Sequence, residues 1–416
     1  MKKSTAVRVR FRLLFILSLL LIPLFTGGCA TIKGISMMRG GSTEQGALTR
    51  DESVPTGKMA HLLTVKVRIA GSPEDLNFIV DTGSLTVIDQ QTAKRFTFKE
   101  SVTNEIKDSS GNKKEVRLVQ VEKISVGNVT VSNCAAAIVD LKKLSPKIDG
   151  VLGSNFLKFF RVKIDYQNST LTFLNDSTNQ EVEGALTLPM WKNMRFGFAP
   201  TMKCELDGAV RVDCMVDTGH GAIASFPLSI IDKLPHFKSG EYIGSNGVIG
   251  AGIFGRDKES YLVKTDKIAS GPLVIDNATV VTNNFDLMTL GYAYLKNFLV
   301  IIDYPNSVMY LKQYPDHSLD NRMLSFGFGL SREKEKTTVT GTWKGSVADK
   351  AGLLAGDELV TLNDKDAASL SFLDIMQLMK SSETLSISYL RPSDKSRSYL
   401  TLHKADLTSL FPNPPN

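Results

Sequence analysis

The sequence predicts a mainly β protein: two similar β-barrel lobes in one chain, then a small α+β unit. Three observations carry this. Between about 58 and 313 the chain consists of short β-branched runs bounded by Gly, Pro or Asp, such as 61–69 and 76–80. The same ordered motifs occur twice in that stretch. Beyond Leu311 the pattern changes to glycine-punctuated segments that lead into SFLDIMQLMK at 371–380. There Phe372, Ile375, Met376 and Met379 recur at helical spacing.

The repeat is specific. Phe78-Ile79-Val80-Asp81-Thr82-Gly83-Ser84 returns as Cys214-Met215-Val216-Asp217-Thr218-Gly219-His220. Lys123-Ile124-Ser125-Val126-Gly127 returns as Lys267-Ile268-Ala269-Ser270-Gly271. Leu152-Gly153, Phe156-Leu157-Lys158 and Ile164-Asp165-Tyr166 return as Leu290-Gly291, Tyr294-Leu295-Lys296 and Ile302-Asp303-Tyr304. The offset is 136 residues at Asp-Thr-Gly and 138 at Asp-Tyr. Ordered spacing of this kind predicts lobes over 58–178 and 185–313, with the third unit over 323–404.

The beginning of the chain is of another kind. Residues 1–12 are basic, and residues 13–25 are apolar but shorter than the ~20 residues of a membrane span. Thr26-Gly27-Gly28-Cys29 follows, the layout of a secretory signal with a small-residue cut. A cysteine at the cut resembles a bacterial lipoprotein signal, which implies a signal peptide over 1–28 and lipidation at Cys29. The resulting location is the cell envelope, lipid-anchored and facing the periplasm or exterior. The alternative is plain cleavage that leaves an ordinary thiol. Residues 29–57 are polar and Gly/Ser/Thr-rich, and read as a flexible tether.

Charge and cysteine content exclude other classes. Of the net charge of +6, all but +1 lies in residues 1–28, so the folded part offers no nucleic-acid footprint. Cys134, Cys204 and Cys214 remain after Cys29, an odd set whose connectivity cannot be deduced. No CxxC or HExxH spacing occurs, so neither a metal nor a cofactor is expected.

The chemistry centres on Asp81 and Asp217. Each ends an apolar run and precedes Thr-Gly. A carboxylate at the end of a buried strand is costly unless it is hydrogen-bonded or functional. Gly83 and Gly219 let backbone approach it closely, and Thr82, Ser84 and Thr218 supply hydroxyls. An ordinary Asp-Gly turn is the competing explanation, and its occurrence at matching places in both repeats counts against that. Asp165 and Asp303, before polar turns, read as hairpin residues.

With these residues in hand, the two lobes resemble retropepsin-like aspartic proteases, the retroviral and bacterial relatives of pepsin. The resemblance implies an intramolecular pseudo-dimer, with Asp81 and Asp217 as the catalytic pair and peptides or proteins as substrates. Val151-Leu152-Gly153 and Thr289-Leu290-Gly291 match the apolar-apolar-Gly that braces the Asp loops in that family. Thr82, Gly83, Ser84, Thr218, Gly219 and His220 are then the support of the pair. His220 stands where the family has Ser, Thr or Ala, and either hydrogen-bonds Asp217 or points away at the lobe surface. Ile249-Gly250-Ala251-Gly252-Ile253-Phe254-Gly255 resembles the glycine-rich flap, with a structural hairpin as the alternative. Its first-lobe counterpart is the turn Asp108-Ser109-Ser110-Gly111-Asn112. Both half-sites lie in one chain, so a monomer is expected.

The third unit resembles a PDZ domain. In that family a loop matching Phe328-Gly329-Leu330 presents N–H groups to a peptide's terminal carboxylate, which implies a C-terminal peptide ligand. On that reading, removal of the unit spares cleavage of short peptides. Two functions compete: an aspartic endopeptidase, or a catalytically inactive, peptide-binding envelope lipoprotein that uses the cleft and the PDZ groove.

Overall fold

The computed structural model describes residues 32–43, 48–175, 182–317, 319–393 and 396–411. The segment read as a signal peptide, and Cys29, lie outside the described residues. The chain is mainly β, with barrel-like sheets. In the first lobe, strands Val129–Val139, Val87–Asp89, Gly150–Gly153, Leu76–Asp81, Leu62–Ile69 and Lys113–Val126 pair in that order. The last pairs back to the first, which closes the ring. The second lobe repeats the order with Leu273–Asn283, Ala224–Pro227, Met288–Gly291, Val210–Asp217, Ala199–Leu206 and Tyr261–Ser270. Closure satisfies the strand edges internally.

Strand alternation fills both barrels. Phe78 and Val80 are fully buried, as are Cys214 and Val216 in the second lobe, and one apolar cluster runs through both lobes. A six-stranded sheet ties the lobes together. Within it, Arg161–Asp165 pairs antiparallel with Phe298–Asp303, so the second copy of the Ile-Asp-Tyr element lies beside the first. Asp165 and Asp303 serve as turn residues: Asp165 accepts from the Gln167 and Asn168 N–H groups and Asp303 from that of Asn306.

The flexible tether expected over 29–57 is corrected for the described residues, 32–43 and 48–57. Residues 32–39 form a helix. Ser42–Thr43 pairs with Val131–Ser132, Glu52–Pro55 pairs with Thr170–Phe173, and Gly57–Met59 pairs with Leu62–Thr64. An edge strand is held by backbone donors and acceptors, so its polar composition resembles that of a linker. The Lys158 ammonium donates to the carbonyls of Met38, Arg39 and Gly40, which closes the helix end with a cation.

The third unit is a small sheet with one helix of more than two turns, Phe372–Ser381, on its own apolar core. It is continuous with the second lobe. Strand Tyr242–Gly247 pairs through Tyr242–Gly244 with Tyr261–Val263 and through Ser245–Gly247 with Gly341–Trp343. The two units therefore share a 14-stranded sheet.

Candidate active site

Asp81 and Asp217 are the last residues of Leu76–Asp81 and Val210–Asp217. Parallel strands Gly150–Gly153 and Met288–Gly291 brace them, placing Gly153 beside Asp81 and Gly291 beside Asp217. Asp81 Oδ1 accepts the Gly83 N–H at 2.9 Å. Asp217 Oδ1 accepts the N–H groups of Gly219 at 2.8 Å and His220 at 3.2 Å. The two carboxyls lie within hydrogen-bonding reach of each other.

The glycines are required by the opposite lobe. A Cβ on Gly83 would stand 2.6 Å from Asp217 Oδ2, and one on Gly219 2.5 Å from Asp81 Oδ2. Any side chain there would force the pair apart. The threonines lock the lobes reciprocally. Thr82 Oγ1 donates to the Val216 carbonyl at 2.7 Å and accepts the Thr218 N–H at 3.1 Å. Thr218 Oγ1 donates to the Val80 carbonyl at 3.0 Å and accepts the Thr82 N–H at 3.1 Å. Four buried hydrogen bonds thus cross the interface directly beneath the carboxyls.

Electrostatics follow from this proximity. Burial, then the Asp217 charge and the hydrogen bond between the carboxyls, hold Asp81 well above the ordinary carboxylate range. The Gly83 N–H opposes this and is outweighed. Two adjacent carboxylates cannot both ionise freely, so a proton is held more tightly at the pair than at an isolated carboxyl.

Two of the support residues behave differently from expectation. The Ser84 hydroxyl donates to the Leu85 carbonyl at 2.6 Å rather than to Asp81. His220 neither hydrogen-bonds Asp217 through its ring nor lies at the surface. Its backbone N–H makes the bond, while the ring Nε2 is buried with no partner. Burial lowers the His220 pKa below its ordinary value against the pull of Asp217, which keeps the ring neutral. Residue type alone does not reveal whether backbone or ring makes such a contact.

The glycine-rich segment is not a regular hairpin. Residues 248–260 are irregular apart from one bridge, Ala251 to Arg256, and the Gly252 N–H donates to the Gly255 carbonyl at 2.8 Å. Ile249 sits against the third unit, Gly250 lets Asp257 of the same segment approach, and Gly252 and Gly255 allow the tip to rest on Asp108 and Asn112 of the first lobe. There the buried Asp108 accepts the Phe254 N–H at 2.8 Å, Asn112 donates to the Arg256 carbonyl at 3.3 Å, and Lys143 donates to the Ile253 carbonyl. The two turns that correspond in the repeat thus meet each other.

Phe328-Gly329-Leu330 is not an open loop. It begins strand Phe328–Glu333, both apolar side chains are buried, and a Cβ on Gly329 would stand 2.7 Å from the Ile249 carbonyl. Cys134, Cys204 and Cys214 are buried and free.

Several residues around the pair escaped sequence reasoning. Ser154 Oγ donates to the Thr82 carbonyl at 2.6 Å and lies 2.7 Å from the Tyr304 hydroxyl. His61 of the first lobe places Nε2 2.9 Å from the Gly219 carbonyl, so the tautomer with hydrogen on Nε2 donates to the Asp217 loop. The repeat already marked Tyr304; its position before a polar turn disguised the buried ring.

Residues 65–156 match a family model described as aspartyl protease, a stretch that includes Asp81-Thr82-Gly83 and Val151-Leu152-Gly153. The match supports a protease-like function of the aspartic, hydrolytic type in general terms. No curated protein matches the chain. Among solved structures the chain is similar to basic 7S globulin from soybean, at 12% identity and a TM-score of 0.37. The alignment covers 65% of this chain and 96% of the globulin.

Proposed function

We propose that the protein is an aspartic endopeptidase of the cell envelope that hydrolyses peptide bonds with a water activated by Asp81 and Asp217. The observation that carries this is the abutting carboxyl pair, with each Asp loop pressed glycine-first against the carboxyl of the opposite lobe. The ionised member of the pair takes a proton from water as the oxygen attacks the scissile carbonyl carbon. The protonated member gives its proton to the carbonyl oxygen, and a tetrahedral diol forms. Collapse breaks the C–N bond, the amine leaves with the proton taken from water, and the other carboxyl recovers its own proton from the diol. The pair titrates as a unit, so neither Asp is assigned as the base.

Substrates on this reading are envelope peptides or proteins, and the enzyme acts as a monomer. Lipidation at Cys29 supplies the anchor. The third unit adds a peptide-binding edge: among the described residues, strand Phe328–Glu333 pairs only with Lys336–Trp343, which leaves its other edge for an added peptide strand. The test is incubation of the purified protein with a diverse peptide library, read by mass spectrometry. Cleavage that is absent from the Asp81→Asn variant supports the endopeptidase. Saturable binding without cleavage by the wild type supports the inactive peptide-binding alternative.

A further inference from the structure

The helix over 32–39 has an outward face of the wrong polarity for water. Ile32, Ile35, Ser36 and Arg39 are exposed, and they follow the i, i+3, i+4, i+7 rhythm of one stripe. Ile32 is 69% exposed and Ile35 38%. A helix on a globular surface normally turns its apolar residues inward. Here the inner side is already occupied by Gly34 and the buried Met37.

The helix is held in this orientation. A Cβ on Gly34 would collide with the Asn104 carboxamide, so the helix backbone lies directly on strand Ser101–Lys107. The Lys33 ammonium is 3.5 Å from the Glu100 carboxylate, just before that strand. At the other end, the Lys158 ammonium that holds the 38–40 carbonyls also sits 3.9 Å from the centre of the Phe198 ring of the second lobe. A roll that buried Ile32 and Ile35 would break these contacts.

The exposed face continues onto the second lobe. Arg39 Nε donates to Met194 Sδ at 3.1 Å, and Met194 is itself 42% exposed. Arg195 follows it, also exposed. One surface thus carries Ile32, Ile35 and Met194 together with Lys33, Arg39 and Arg195. Lys33 and Arg195 are paired, with Glu100 and Asp286, whereas the Arg39 guanidinium reaches a thioether rather than a carboxylate. Apolar side chains bordered by cations suit a helix that lies in an anionic membrane interface.

Position in the chain favours lipid over a protein partner. Only residues 30 and 31 separate Cys29 from the helix. Three Cα–Cα steps of about 3.8 Å reach at most about 11 Å. A lipidated Cys29 would therefore hold the first turn of the helix at the headgroup layer.

We infer that the outward face of the 32–39 helix, with Met194, is a membrane-docking surface for anionic phospholipid. The inference rests on the lipid-anchor reading above. An acyl anchor alone leaves the body free to tumble, and an amphipathic contact beside it removes that freedom. Strand Ser101–Lys107 carries the helix and leads into the 108–112 turn, so this edge of the first lobe is the one held toward the lipid.

The test places an environment-sensitive dye on Ile35→Cys, on Met194→Cys or, as reference, on Tyr399→Cys of the third unit, which is 73% exposed. Cys134, Cys204 and Cys214 are buried, so the folded protein does not label there. The full-length gene is expressed, and the processed protein is returned to vesicles of phosphatidylethanolamine and phosphatidylglycerol that contain a nitroxide lipid. Dyes at 35 and 194 should shift their emission to shorter wavelength and lose intensity to the nitroxide; the dye at 399 should do neither. Ile32→Asp should abolish the shift at 35. Arg39→Gln should reduce the quenching at 35 to that seen in vesicles of phosphatidylcholine alone. Equal quenching at 35 and 399 overturns the assignment. So does a shift at 35 without nitroxide quenching, which would mean that a second copy or another protein covers the face. Mass spectrometry of the processed protein tests the anchor separately. If Cys29 carries no acyl group, the anchor reading falls, and the labelled protein with Cys29→Ala is added to the same vesicles. Quenching at 35 there upholds the docking face without the anchor, and its absence sinks both.

Discussion

In the first lobe Ser154 follows Gly153; in the second, Tyr292 follows Gly291. The difference reorganises everything behind the carboxyls. On one side a chain of hydrogen bonds runs from the Thr82 carbonyl through Ser154 Oγ to the Tyr304 hydroxyl. On the other, Tyr166, the counterpart of Tyr304, packs edge-on against Tyr292, and its hydroxyl is buried without a partner. Ser84 is likewise replaced by His220, a neutral buried ring. Yet the Thr-Gly after each Asp is the same in both lobes, each glycine N–H donates to its own Asp, and only the second N–H on Asp217, from His220, differs. The innermost groups stay nearly symmetric, and the packing behind them diverges.

The sharpest way to break this comparison is to remove one carboxylate at a time. Asp81→Asn and Asp217→Asn should each lower kcat/KM by about 10²–10⁴-fold, the contribution of a general acid or base, with thermal unfolding little changed. An active variant of either kind would show that the lobes are not equal partners. Next come the threonines. Thr82→Val and Thr218→Val each remove two interlobe hydrogen bonds, so each should cost about 2 kcal/mol in denaturant unfolding. A clearly unequal cost would mean that one lobe dominates the lock.

The divergent region gives a smaller, asymmetric signature. Tyr304→Phe should cost about 1 kcal/mol, since it leaves Ser154 without that partner, whereas Tyr166→Phe should be neutral or stabilising because it removes an unsatisfied buried hydroxyl. Equal costs for the two would refute the distinction. The smallest effect concerns pH. Folding depresses the His220 pKa, so below the ordinary value of 6.5 the unfolded chain takes a proton that the folded one refuses. Stability contributed by the neutral ring is present above pH 6.5 and lost as pH falls through the folded value. His220→Ser, which copies the first lobe, should therefore flatten the fall in melting temperature between about pH 6.5 and pH 5.

The Asp pair, the threonines and the repeat were legible because each is written in consecutive residues. A strand, its terminal Asp and the following Thr-Gly need no information from elsewhere. Whatever depends on distant partners was hidden. Glu52–Pro55 looks like linker because its partner is the backbone of Thr170–Phe173. Asp108 looks like a turn residue until Phe254 arrives to occupy its second oxygen. Phe372 and Ile375 were readable as a helix face, but Leu373 packs on the first lobe, and no periodicity within ten residues announces that. His220 shows the reverse limit: the right residue was named, but with the wrong atoms.

The strand Tyr242–Gly247 acts mechanically as a strut. Its first half is bonded to the second lobe and its second half to the third unit, with no slack between them. The chain continuing from it at 248 runs straight into the segment that rests on the 108–112 turn. Torque applied to the third unit is therefore delivered along a stiff backbone to the contact between the two corresponding turns, instead of being lost in a linker. A load applied to the third unit would thus arrive where Phe254 and Arg256 meet Asp108 and Asn112.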